Sequence, residues 1–250
     1  MIAAGLIDRA GDRKPLADWV RKRIKPQVDL FIDTEHLPPF NKGWDIVPRV
    51  KYIVEEAKKA KVDFLYLVEN DDYYPKDYIK RMEKVRQDAD FINSYLYVRY
   101  NVGSQLLQLI GHQKGGYFIG GLWTMGFKPE ILSNYFWQRI VNDEIRDLDG
   151  EISKFAQSKD INDVWFNDHH GVGVKGHGIG MVKKTGPHKA FNLPYMQDNG
   201  SMLSTLTDKS FMELHGFKYV ETSKTNDQLR KELKQLFRMD EEILTDIRFG

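Results

Sequence analysis

Phe64-Leu65-Tyr66-Leu67-Val68-Glu69-Asn70-Asp71-Asp72 runs from five consecutive apolar residues straight into three carboxylates. A short apolar run of that length, bounded by polar residues, reads as a strand buried on both faces. Its acidic end then lies at the carboxyl edge of a parallel sheet, where open α/β folds bind ligands. Glu69, Asp71 and Asp72 offer hard oxygen ligands suited to a divalent cation, Mg²⁺ or Mn²⁺, that would bridge to a diphosphate and offset charge on a leaving nucleotide. The plainer alternative is a solvated turn whose carboxylates cap the following helix. A buried strand running into this many acids is unfavourable unless something cationic is bound.

Upstream, Ile2 to Ile7 reads as another buried strand, followed by the polar turn Asp8-Arg9-Ala10-Gly11-Asp12-Arg13 and a helix with Leu16, Trp19, Val20 and Ile24 on one face. Pro26 ends that helix, Val28 to Ile32 forms a second strand, and a Pro- and Gly-containing loop leads to a helix through Val47, Val50, Val54 and Ala57. Beyond the acidic end, Pro75 precedes a helix carrying Tyr78, Ile79, Met82 and Val85. Strands alternating with helices at this spacing predict an α/β fold with a mostly parallel, Rossmann-like central sheet flanked by helices. From Asp90 the texture changes. Asp90 to Tyr100 alternates as a strand, and Gly115 to Phe127 is rich in glycine and aromatics. Helices are expected over Pro129 to Ile145, Glu151 to Gln157 and Asp163 to His170, then loop with short strand through Asn199. Leu229, Leu233, Leu236, Phe237 and Ile243 predict a terminal helix. The expected organisation is one domain over 1–250, with a ligand-binding half at 1–100, a second half at 101–225 and the helix at 226–250.

Composition excludes several classes. The 37 basic and 36 acidic residues leave a net charge of +1, so no global field recommends nucleic acid or an anionic membrane. The absence of cysteine removes disulfides, thiolate metal sites and cysteine nucleophiles, and it agrees with a reducing, cytoplasmic setting. Met1 to Ile7 is apolar but broken at Asp8, too short for a secretion-signal core, and no later run is long enough for a membrane span.

The stretch Leu67-Val68-Glu69-Asn70-Asp71-Asp72-Tyr73-Tyr74-Pro75-Lys76-Asp77-Tyr78-Ile79 resembles the acidic DxD motif of GT-A fold glycosyltransferases, in particular the family-2-like group, with Glu69 where aspartate is usual. The resemblance covers approximately residues 1–180. It implies a GT-A-like domain with a nucleotide-diphosphate sugar donor and a divalent cation (Mn²⁺ or Mg²⁺), held through either Glu69 with Asp71 or Asp71 with Asp72. Asp8, Arg9 and Arg13 then correspond to the loop that contacts the nucleotide base, and Arg49 to an arginine near the nucleotide. Asp160-Ile161-Asn162-Asp163-Val164-Trp165-Phe166-Asn167 resembles the acceptor-side acidic motif, which implies Asp163 as general base of an inverting reaction. Glu151, in Asp149-Gly150-Glu151, is the competing candidate. Gly120 and Gly121 would sit at the acceptor cleft and allow close approach of the sugar. His177 or His188 would complete the metal site as a third ligand. The acceptor is a glycan or a modified base in DNA.

Gly171-Val172-Gly173-Val174-Lys175-Gly176 satisfies G-x-G-x-x-G but lacks the strand-turn-helix context of a dinucleotide fingerprint, so it reads as a substrate-covering loop. Lys175, Lys183, Lys184 and Lys189 around it would meet a diphosphate or an anionic acceptor, or form a solvated basic loop. Two other classes stay open: a nucleotidyltransferase on a related sheet, with Gly11-Asp12-Arg13-Lys14 as its phosphate loop, and a noncatalytic metal- or ligand-binding protein.

Overall fold

The computed structural model describes residues 1–9, 11–38, 45–111, 113–114, 117–142, 147–176 and 196–236. Strands and helices alternate from the start: β1 (Ile2–Ile7), α1 (Lys14–Ile24), β2 (Leu30–Asp33), α2 (Ile46–Lys59), β3 (Phe64–Glu69) and α3 (Tyr78–Arg86). Both β2 and β3 run parallel to β1, the latter in register from Ile2↔Phe64 to Ile7↔Glu69. The apolar run of β3 serves two layers at once because side chains alternate between faces. Leu65 and Leu67 pack with Val47, Val50, Ile53, Val54 and Ala57 of α2, whereas Phe64, Tyr66 and Val68 pack with Val20 and Ile24 of α1 and Tyr78, Ile79 and Met82 of α3. Each apolar side chain so buried contributes about 1.5–3 kcal/mol. That is why five uninterrupted apolar residues belong in a central strand.

The chain continues through β4 (Phe91–Asn101), β5 (Leu106–Gly111), β6 (Gln113–Lys114), β7 (Tyr117–Phe118), β8 (Gly126–Phe127), α4 (Asn134–Asn142) and α5 (Leu148–Gln157). Then come β9 (Asp163–Lys175), β10 (Met196–Gln197), α6 (Ser201–Leu206), α7 (Lys209–Leu214) and α8 (Asn226–Leu236). Among the described residues, eight strands form one sheet in the order β10-β5-β4-β8-β3-β1-β2, with β9 paired to β4, while β6 and β7 make a separate hairpin. The short β8 is antiparallel to both β3 and β4, so β4 points the same way as β3; β9 is parallel to β4. Most strands therefore share one direction, and their carboxyl ends open on one edge.

The helix expected over Asp163 to His170 is corrected: these residues lie in β9, which pairs with β4 from Phe91↔Asp163 to Asn101↔Lys175. The G-x-G-x-x-G stretch is also strand through Lys175, not a covering loop. A third cluster covers the carboxyl ends of β4 and β9. Leu96, Val98, Tyr100, Val172 and Val174 pack with Met202, Leu203 and Leu206 of α6, Phe211 and Met212 of α7 and Leu229 of α8. Residues 237–250 of the expected terminal helix lie outside the described residues. No helix among the described residues is long and apolar enough to cross a membrane.

Candidate functional site

The carboxyl ends of β1 and β3 carry Asp8 and Glu69 to the open edge of the sheet. Asp8 is fully buried: its backbone N–H donates to Thr34 Oγ1 at 2.9 Å, its Oδ1 accepts from Asn70 Nδ2 at 2.9 Å, and its other oxygen pairs with Arg21. Arg13 Nη1 reaches Asp71 Oδ2 at 2.9 Å and Asn70 Oδ1 at 3.3 Å, so the first loop and the acidic tip are tied into one unit. Arg9 pairs with Asp45 at 2.8 Å. Arg49 is only 1% exposed and is linked to the tip through Thr34, Asp8 and Asn70. Its guanidinium bonds Asp45 at 3.0 Å and the carbonyls of Thr34 and Pro38, which makes it a brace for the loop after β2.

Glu69, Asp71 and Asp72 each place a carboxylate oxygen within 4.8 Å of the others. Asp72 Oδ1 accepts the Val174 N–H at 2.8 Å and lies 3.8 Å from Lys175 Nζ, while Asp72 Oδ2 is buried with no hydrogen-bond partner among the described residues. Burial pushes the Asp72 carboxyl well above the usual carboxylate range, and Glu69 and Asp71 add to the rise against the pull of Lys175. Burial works against the Lys175 ammonium, but Asp72, Glu69 and Asp71 outweigh it and hold its pKa above the ordinary value. Both directions express one imbalance: the tip carries more negative charge than Lys175 offsets. An orphaned buried carboxylate oxygen beside two further carboxylates fits a hard divalent cation.

The start of α5 carries Asp147 and, in its first turn, Asp149, whose carboxyl is within electrostatic reach of Glu69. Burial, a hydrogen bond with Asp147, and the charges of Asp147 and Glu69 push the Asp149 carboxyl up to about 7. The charges of Asp149 and Asp147 also act on Tyr97, beside Arg99 and Lys175. Asp149 is the residue that sequence reasoning passes over. Its signal is the acidic spacing Asp147-Leu148-Asp149 at a helix start, where the neighbouring Glu151 draws the assignment instead.

Glu151 points elsewhere: it bridges Arg139 and Lys154, both at 2.9 Å, and these partners hold its carboxyl below the usual range despite partial burial. Asp163 is not brought to the tip either. It opens β9 opposite Phe91, level through β8 with Leu65, which lies four residues before Glu69, about 13 Å along the strand. Its Oδ2 accepts the indole N–H of Trp165 at 2.8 Å. Gly120 and Gly121 do not leave room for a sugar. A Cβ on Gly120 would stand 2.3 Å from Asn93 Oδ1, and one on Gly121 2.5 Å from the Trp123 ring, so the glycines admit the protein's own side chains. His177, His188, Lys183, Lys184 and Lys189 lie outside the described residues.

No protein-family model and no curated protein matches the chain. Among solved structures it is similar to a glycosyltransferase involved in glycosylation of the major capsid of PBCV-1, at 10% identity over 66% of this chain and 81% of that one, with a TM-score of 0.39. It is similar also to S. aureus TarS in complex with UDP-GlcNAc (10% identity, 99% and 76% covered, TM-score 0.38) and to a mannose-1-phosphate geranyltransferase from Thermus thermophilus (10%, 69% and 73%, 0.33). At such scores these likenesses carry no functional argument.

Proposed function

We propose that the chain is a glycosyltransferase that moves a sugar from a nucleoside-diphosphate donor to an acceptor hydroxyl, with the tip Glu69 to Asp72 as its donor-side centre. The observation that carries this reading is the buried Oδ2 of Asp72, without a hydrogen-bond partner among the described residues and set among three carboxylates, with a carboxyl poised near neutrality within electrostatic reach of Glu69. Glu69, Asp71 and Asp72 would hold Mn²⁺ or Mg²⁺, which when bound supplies Lewis-acid stabilisation to a departing diphosphate.

The chain's own residues do the rest. Asp8 and Arg9 frame the nucleotide, with Asp8 fixed by Thr34, Asn70 and Arg21 and Arg9 by Asp45. Arg13 anchors Asp71 and leaves the carboxylates oriented without rearrangement at the moment of reaction. Lys175, in the same cluster, adds positive charge where the leaving group's charge develops. Asp149, and not Asp163, takes the proton from the acceptor hydroxyl. A base with a value near neutrality is half ionised at working pH yet still strong enough to accept that proton. Attack from the Asp149 side, opposite the departing diphosphate, would invert the anomeric carbon. The acceptor is a glycan or a modified DNA base, and the near-neutral net charge disfavours the second, because several phosphate contacts need a basic surface.

Incubation with a panel of nucleotide sugars and Mn²⁺ tests the reading. Slow release of nucleoside diphosphate from at least one donor is expected. Release of pyrophosphate in a parallel incubation with nucleoside triphosphates and sugar 1-phosphates would make the protein a nucleotidyltransferase, and failure of every nucleotide sugar either to bind or to turn over would contradict the proposal.

A further inference from the structure

Next to the tip lies a second surface with a different charge. Val98 and Tyr100 of β4 and Val172 and Val174 of β9 are buried under α6, α7 and α8, so strand alternation turns Tyr97, Arg99, Gly173 and Lys175 to the opposite face. Trp123 lies on that face. A Cβ at Gly173 would stand 2.7 Å from its ring, so glycine is what lets the indole settle on the sheet. Tyr97 meets it edge-on at 5.0 Å. Two cations flank the indole: the Arg99 guanidinium 5.5 Å from the ring centroid, and 5.3 Å from that of Tyr97, and Lys175 Nζ 5.2 Å away.

The two cations differ in what they face. Lys175 has Asp72. Arg99 has no carboxylate partner among the described residues; its one hydrogen bond there is a long 3.5 Å contact from Nη2 to the Tyr97 hydroxyl, and its Nε is buried with no acceptor. A half-buried guanidinium that stacks on two rings is held in place while most of its donors stay unused among the described residues, which suits the forked recognition of a phosphate or carboxylate. The direction is set by position. Arg99 is on β4, separated by β9 from the segment that carries Asp72, because β9 pairs with β4 on one edge and with Tyr73 on the other. Its stacking partner Tyr97 is within electrostatic reach of Asp149 and Asp147, whereas Lys175, on the same Trp123 ring, is the cation that faces Asp72.

We propose that Arg99, stacked on Trp123 and Tyr97, binds an anionic group of the acceptor, so that the substrate is a phosphate- or carboxylate-bearing molecule whose hydroxyl is thereby set toward Asp149. This rests on the glycosyl-transfer reading above. The anion shares its chemistry with the donor's diphosphate, and the test separates the two sources.

Inorganic phosphate and acetate are titrated calorimetrically into the wild-type protein and into Arg99→Met, which keeps an unbranched stem to pack on Trp123. Both titrations are run alone and with saturating nucleoside diphosphate and Mg²⁺. At least one anion is expected to bind the wild type, to bind still when the nucleotide is present, and to weaken about tenfold or more in Arg99→Met. Nucleotide affinity and melting temperature should be unchanged in the variant, and Arg99→Lys should recover part of the loss. Equal binding in Arg99→Met, no binding of either anion to the wild type, or displacement by the nucleotide would overturn the proposal. Failure of the transferase reading shows separately, as absence of nucleoside diphosphate binding, and Arg99 is still scored by the anion alone.

Discussion

Two strands meet at the site, and they are built on opposite principles. In β3, five apolar residues alternate between two helical layers, and the partner strand β1 follows from a local strand-helix-strand unit. In β9, apolar residues alternate with Gly171, Gly173 and Lys175, and the pairing with β4 joins residues more than 70 positions apart. One strand holds the core and the other holds the chemistry. β3 devotes its side chains to packing and offers only its end to the site. At Gly173 in β9 a side chain is given up so that Trp123 can approach the backbone, and Lys175 and the Val174 N–H reach Asp72.

The largest effect expected from a single substitution is at the first turn of α5. Asp149→Asn should lower kcat by about 10²–10⁴ while the protein stays folded, as measured by steady-state kinetics and thermal melting. The pH dependence has a defined sign. Folding raises this carboxyl from the ordinary range to about 7, so between those limits the folded state binds more protons than the unfolded one. Its contribution to stability is therefore complete below the ordinary carboxylate range and is lost as pH rises through about 7. Activity should rise through the same window as the carboxylate forms, and the Asp149→Asn protein should show a flatter stability slope there.

Next in size is the brace of the amino-terminal half. Arg49→Met removes the buried donor to the carbonyls of Thr34 and Pro38 and one of the two arginines on Asp45, which keeps Arg9, and loss of these buried hydrogen bonds costs about 1–3 kcal/mol each, readable by urea denaturation. Because the link from Arg49 to the tip runs through Thr34 and Asp8, metal affinity should fall less than stability. If metal affinity fell while stability held, the two regions would not be separable in this way. Smaller again is Gly120→Ala, where a Cβ would overlap Asn93 Oδ1, itself the acceptor for Thr124 Oγ1 and the Ser94 N–H. Overpacking of this kind costs about 1–3 kcal/mol, measurable as a shift in the denaturation midpoint.

The same contrast explains what is legible in the sequence. Residues 1–90 can be read because the periodicities of β1, β3, α1, α2 and α3 each answer to one buried face or two, and Phe64 to Asp72 locates the acidic tip. β9 reads as a helix followed by a loop because Gly173 answers to the Trp123 ring and the strand itself to β4, partners distant in sequence that leave no periodic trace. β5, with Leu106 and Leu107 adjacent and Gln108 buried among apolar neighbours, offers no alternation either. Glu151 and Asp149 look alike in sequence. Arg139 and Lys154 neutralise the first, and burial beside Asp147 leaves the second poised, a distinction made only by packing.

The acidic tip as a cation site is the central claim, and Mn²⁺ titration of the wild type and of Asp72→Asn, with and without nucleoside diphosphate, tests it most directly. Asparagine keeps the acceptor for the Val174 N–H but replaces the orphaned Oδ2 with a donor. The wild type should bind one Mn²⁺, more tightly with the nucleotide present, and Asp72→Asn should weaken that binding about tenfold or more with its fold intact. Equal Mn²⁺ affinity in the two proteins, or no Mn²⁺ binding by the wild type even with nucleotide, would contradict it.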